Sequence, residues 1–322
     1  MRARHSPRVT ALAGGTGAAK LLRGLMRVID PAGVTVIGNT GDDTEVWGLH
    51  VSPDLDTVTY ALAGALDVAR GWGRADETFH CLSAMAGLGA DTWFNLGDRD
   101  LATHLMRTRA MRAGQPLSAI TAELARRLGV SARIVPMSDD PVRTRVETPD
   151  GWLDFQEYFV REKAQPPVRG VAYVGAERAR PAPGVLEALR DADVVLVCPS
   201  NPVTSVGPIL AVPGIVDALV ATSAVVVGVS PIVGGAPVSG PAGALMRARG
   251  LDVSPGGVAA AYMPWLRTLI IDTRDRAATA GVSGHGARAV VAETIMTDRA
   301  SEVALARVVI ASAGVRHGSG RA

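Results

Sequence analysis

The chain has 322 residues, 48% of them hydrophobic and 20% charged, which gives ample apolar material for one large core. A formal net charge of +2, with basic residues scattered along the chain, makes no case for nucleic acid or an anionic membrane as partner. Cys81 and Cys198 stand far apart, which excludes a disulfide framework or zinc site and predicts two buried thiols. No stretch reaches the ~20 uninterrupted apolar residues that span a bilayer, so the cytoplasm is the expected compartment.

After a basic start, Met1 to Arg8, read as a frayed tail, the apolar run Val9 to Leu12 predicts a strand. It leads into the turn Ala13-Gly14-Gly15-Thr16-Gly17-Ala18-Ala19-Lys20, and Leu21, Leu22, Leu25 and Met26 continue at helical spacing. A second run, Val34 to Gly38, delivers the acidic segment Asn39-Thr40-Gly41-Asp42-Asp43. Ser52-Pro53-Asp54-Leu55-Asp56-Thr57 follows, and Thr57 to Ala69 reads as a helix capped by Asp56 or Thr57. Gly97-Asp98-Arg99-Asp100 precedes another helical run, then a helix from Leu117 to Leu128, a strand from Ala132 to Met137, and a hairpin of Thr144 to Thr148 and Trp152 to Phe159 around Pro149-Asp150-Gly151. Val194 to Cys198 and Ala224 to Val229 read as buried parallel strands, Leu269 to Asp272 and Val290 to Met296 as further strands, and Ser301 to Ile310 as a closing helix before a disordered tail from Arg316. The expected fold is α/β: a Rossmann-like, mainly parallel sheet with flanking helices, formed by residues 1–110 and 185–322, with a smaller α+β insertion at 111–184 covering the site.

Strand, glycine turn and helix in succession make an anion site from backbone N–H groups. Neither common nucleotide fingerprint fits. Lys20 occupies the place of the third glycine of G-x-G-x-x-G, no acid ends the second strand, and Lys20 follows Ala19 rather than Gly and precedes Leu21 rather than Ser or Thr, which breaks the P-loop. Asp42, Asp43, Asp54 and Asp56 form two acid pairs suited to a hard cation, for which Mg2+ needs one or two carboxylates plus substrate phosphates. Adjacent Asp42 and Asp43 diverge in extended chain, so one of them is expected to converge with one or both of the second pair. Arg99 can grip a phosphate or carboxylate in a fork, with Asp98 or Asp100 orienting it or capping the helix. His50, His80, His104 and His285 read as isolated, structural histidines.

Taken together, Gly14-Gly15-Thr16-Gly17 with Lys20-Leu21-Leu22, Asn39 to Asp43, Ser52 to Thr57, Leu96 to Asp100 with Ala102-Thr103-His104, Pro136-Met137-Ser138-Asp139-Asp140, Pro199-Ser200-Asn201-Pro202 through Gly207-Pro208-Ile209, Ser230-Pro231-Ile232, and Ser239 to Gly243 resemble the 2-phospho-L-lactate and phosphoenolpyruvyl transferases of coenzyme F-420 biosynthesis, from Val9 to about Ala313. The resemblance implies transfer of a phosphorylated three-carbon acid from a guanosine diphosphate-linked donor to the ribityl hydroxyl of the deazaflavin Fo, with release of GMP, Mg2+ as cofactor and a homodimer. It makes Asp42, Asp43, Asp54 and Asp56 candidates for metal or for the hydroxyl proton, with Asp56 favoured for the proton and Arg99 beside it. Gly14, Gly15, Thr16, Gly17, Lys20, Asn39, Asp98, Ser200, Asn201 and Ser205 become candidates for binding the donor. The donor acid stays open between phospholactate and phosphoenolpyruvate. A non-enzymatic regulator that binds nucleotide sugars, built on the same fold, is the alternative.

Overall fold

The computed structural model describes residues 6–314; the two expected tails lie largely outside them. Seven strands form one sheet: β1 (Val9–Ala13), β2 (Val34–Gly38), β3 (Arg133–Pro136), β4 (Val194–Val197), β5 (Val225–Val229), β6 (Thr268–Asp272) and β7 (Arg288–Ala292). Every pairing is parallel, and the spatial order is β7-β6-β5-β4-β1-β2-β3. The strands are apolar at consecutive positions because both faces are covered. Leu12, Val195, Val197, Val226 and Ile271 belong to one core, whereas Ala11, Val194, Leu196, Val227 and Ile270 belong to the other.

The chain winds outward from β1 to β3, then crosses back to place β4 against the other side of β1. This reversal sets the loops that follow β1 and β4 side by side at the carboxyl ends of the strands, the edge where doubly wound sheets hold ligands. Helix α1 (Gly15–Leu25) leaves β1 and buries Leu21, Leu22 and Leu25 in the second core beside Leu305, Val309 and Ile310 of the closing helix Arg299–Ser312. A buried ion pair, Arg23 with Glu302, joins the two helices.

The structure departs from expectation at several points. Helix α2 (Pro53–Leu62) starts earlier than Thr57, because Pro53 suits a first helical turn and Ser52 occupies the preceding cap position. Residues 133–136 are an edge strand of the main sheet, paired with β2 through Thr35 and Arg133, so the insertion starts after them and not at 111. What projects is a three-stranded antiparallel sheet, Gly151–Asp154, Arg143–Thr148 and Gly170–Val174, whose third strand the sequence left unread. Cys198 is buried, but Cys81 is only half-buried, and both are free thiols.

Candidate active site

The glycine turn sits at this carboxyl edge of the sheet. Gly15 has φ +73°, a conformation that favours glycine, and a Cβ on Gly14 would strike the Asp54 carboxylate and the Ser205 side chain. Ser200 ties the two halves of the sheet together: its hydroxyl donates to the Gly14 carbonyl at 2.7 Å, and the Gly14 N–H points back to it at 3.3 Å. Gly17 lies against the Pro199 carbonyl. Thus the loops after β1 and β4 form one wall.

The acidic segment packs directly against this wall. Asn39 is fully buried; its amide nitrogen donates to Asp54 Oδ2 at 2.8 Å and to the Thr204 carbonyl at 3.1 Å, and its oxygen accepts from the Gly41 N–H at 2.8 Å. Asp43 Oδ2 accepts from the Ser52 hydroxyl at 2.9 Å and lies 2.9 Å from His50 Nε2. The antiparallel sheet abuts this loop, where the Thr144 N–H donates to the Gly41 carbonyl at 2.7 Å.

Three carboxylates sense one another here. Burial pushes the Asp54 carboxyl up to about 7; the Asn39 side chain opposes the rise and the Asp43 charge adds to it. Burial, followed by the Asp54 charge, raises Asp42 well above the ordinary carboxylate range. Asp42 and Asp43 each keep one buried oxygen, Oδ1, without a hydrogen-bond partner. Among the described residues no group of three or more acids, histidines or cysteines is placed to hold a metal ion by itself. Two orphaned hard oxygens beside a third carboxylate nevertheless suit Mg2+, which leaves much of its shell to waters and phosphates.

Asp56 departs from expectation. It turns away into a buried fork with Arg107, Nη1 to Oδ2 at 3.0 Å and Nη2 to Oδ1, so both oxygens serve an ion pair rather than a cation or a substrate proton. Arg107 lies on α4 (Asp98–Arg112), whose first-turn Asp100 meets the Tyr60 hydroxyl at 2.7 Å and His104 Nε2 at 3.3 Å. His104 is therefore not isolated, and neither is His50. Helical spacing carried this signal, since Asp100, His104 and Arg107 stand at i, i+4 and i+7. His50 and Ser52, two apart across a strand end, carried the corresponding period-two signal.

The Gly97 to Asp100 stretch is a reciprocal helix clasp. Asp98 accepts from the N–H groups of His80 and Cys81 at 3.0 Å, capping α3 (His80–Gly87), while Glu77 accepts from the N–H groups of Arg99 and Asp100 at 2.6 and 3.0 Å. Arg99 is exposed, with its guanidinium on the Ala75 carbonyl at 3.1 Å and 3.8 Å from Asp76. Asn201 caps the turn that follows it through Val203 N at 2.9 Å. Lys20 is held by the Met296 carbonyl and the Thr16 hydroxyl by the Gly71 carbonyl, both at 3.1 Å.

The profile of the family described as 2-phospho-L-lactate transferase CofD matches residues 9–310. The chain belongs to this family. It is 47% identical to a phosphoenolpyruvate transferase of Kitasatospora aureofaciens over 97% of the chain and all of that protein, and 49% identical to one of Streptomyces avermitilis over 95% and 98%. Identity to a 2-phospho-L-lactate transferase of Methanosarcina mazei is 43% over 92% and 97%. A crystal structure of a UPF0052 family protein from Bacillus halodurans shares the fold at TM-score 0.66 and 16% identity, covering 96% of this chain and 100% of that one. The family makes the chain a transferase of the 2-phospho-L-lactate and phosphoenolpyruvate type. No single helix among the described residues is long and apolar enough to cross a membrane.

Proposed function

We propose that the chain moves a phosphorylated three-carbon acid from a guanosine diphosphate-linked donor to the terminal ribityl hydroxyl of the deazaflavin Fo, releasing GMP, in the cytoplasm and as a homodimer. The observation that carries this reading is the meeting of Asp42, Asp43 and Asp54 with the glycine turn at the sheet's switch point, in a chain of this family. Backbone N–H groups at the start of α1 cradle the donor diphosphate. Asp42 and Asp43 would hold Mg2+ through their unpartnered oxygens, with Asp54 alongside. When bound, the cation neutralises charge on the diphosphate and its leaving group.

The ribityl oxygen attacks the phosphorus that bears the acid, a new P–O bond forms, and the bond to the bridging oxygen breaks, so that GMP departs with both electrons. Asp54, whose carboxyl is held near neutrality, accepts the hydroxyl proton. Asn39 fixes that carboxylate from behind. The higher identity to the phosphoenolpyruvate-named relatives favours the enolpyruvyl donor over the lactyl one.

The test incubates purified protein with Fo, Mg2+ and each guanosine donor in turn, following GMP and product mass. The expected result is stoichiometric GMP and phosphodiester, faster with the enolpyruvyl donor, stopped by EDTA and restored by Mg2+. Ligand binding without GMP release, or turnover that survives thorough chelation, overturns the reading. Light scattering checks the dimer.

A further inference from the structure

Arg107 is among the largest fully buried side chains in the protein, at 2% exposure, and it touches more than Asp56. The Nη1 that grips Asp56 Oδ2 also lies 3.4 Å from the His50 carbonyl oxygen, and the next residue, Thr108, accepts the His50 N–H at 2.8 Å through its hydroxyl. Helix α4 therefore holds both backbone polar groups of His50. The His50 side chain in turn lies against Asp43, and Asp56 stands two residues beyond Asp54 in the first turn of α2. The Tyr60 hydroxyl on Asp100 ties α2 to α4 a second time, one turn further along.

We propose that Arg107 is a positioning residue that couples the two acid-bearing segments, setting Asp43 through the His50 backbone and Asp54 through Asp56. Asp56 then acts only as the partner of Arg107. A guanidinium suits this task because its planar fork fills both carboxylate oxygens and still presents an N–H to the carbonyl. A lysine ammonium keeps the charge and loses the geometry. The inference rests on the Mg2+-assisted transfer reading above for its consequence in the site, but the link itself is measurable without turnover.

The experiment compares the full-length wild type with Arg107→Lys, Arg107→Met and the neutral pair Asp56→Asn with Arg107→Gln. Two readouts need no substrate: the Mg2+ concentration giving half of the maximal thermal shift, and amide exchange across residues 49–56. Both single variants are expected to need about 10-fold or more Mg2+ and to exchange faster across that segment, the lower end of the scale seen when the groups that orient a metal's ligands are removed. In turnover they lower kcat and leave the donor KM little changed. The neutral pair is expected to bring the Mg2+ midpoint and the exchange protection back toward wild type. Folded single variants with wild-type midpoint and exchange overturn the proposal. So does a neutral pair that folds without recovery, which would give the Asp56 charge a role of its own, or failure of all three to fold, which would make the pair a requirement of the fold and not of the site. A wild type with neither Mg2+ response nor transfer defeats the functional reading instead, while the exchange data still report on the Arg107 link.

Discussion

Asp54 is the residue whose surroundings are most finely set. Burial raises it, Asn39 and the Gly15 N–H restrain it, and it lies beside a glycine that could not carry a side chain. In the proposed transfer the working form is the carboxylate, so turnover should rise with pH through about 7, with saturating Mg2+ moving the midpoint downward. Asp54→Asn should lower kcat by about 100-fold or more and abolish that limb, as a pH-rate profile would show. The acid pairs themselves were legible in the sequence, as were the glycine turn and the absence of both nucleotide fingerprints. Their division of labour was not. Asp54 and Asp56 look equivalent in a six-residue motif, and they part only because Arg107, 51 residues downstream, takes one of them. Arg99 drew attention as the basic residue within a motif, whereas Arg107 stood outside any motif and showed only as a helical repeat with Asp100 and His104.

Among the elements, α1 and the closing helix Arg299–Ser312 form the contact on which the glycine turn rests. Arg23 and Glu302 are both nearly dry, with side chains 6% and 3% exposed, and Glu302 also meets Arg299 at 3.0 Å, so it is removal of the Glu302 charge that strands Arg23. Glu302→Gln should destabilise the fold by about 3 kcal/mol or more, measured by urea unfolding, and should affect donor KM before it affects the acids. The central strands were readable because a parallel sheet covered on both faces needs unbroken apolar runs. The edge strand Arg133–Pro136 was assigned to the insertion since a strand paired on one side, preceded by a helix and followed by a hairpin, has the local pattern of either neighbour. Its partner β2 lies about a hundred residues earlier, and no local pattern records that pairing.

At the scale of the whole molecule, the acid wall places function and stability in opposition. The folded chain keeps the Asp54 proton up to about 7, whereas an unfolded carboxyl releases it near ~4. The native state thus binds more protons between those values, and this contribution is whole below about pH 4 and lost as pH rises through about 7. Burial of Asp42 acts in the same direction. Without metal, the wild type should therefore lose melting temperature relative to Asp54→Asn between pH 5 and pH 8. Added Mg2+ should restore it most at the higher pH, where the cation meets carboxylates instead of protons; differential scanning calorimetry of both proteins at the two pH values decides this. The Arg23 to Glu302 contact has a temporal side as well. The two residues are 279 positions apart, so a ribosome making this chain releases the glycine turn near the start and its helical buttress near the end of the described residues. All seven strands of the sheet must be synthesised before that turn has its backing, and a nascent chain is expected to gain donor affinity in one late step rather than by degrees.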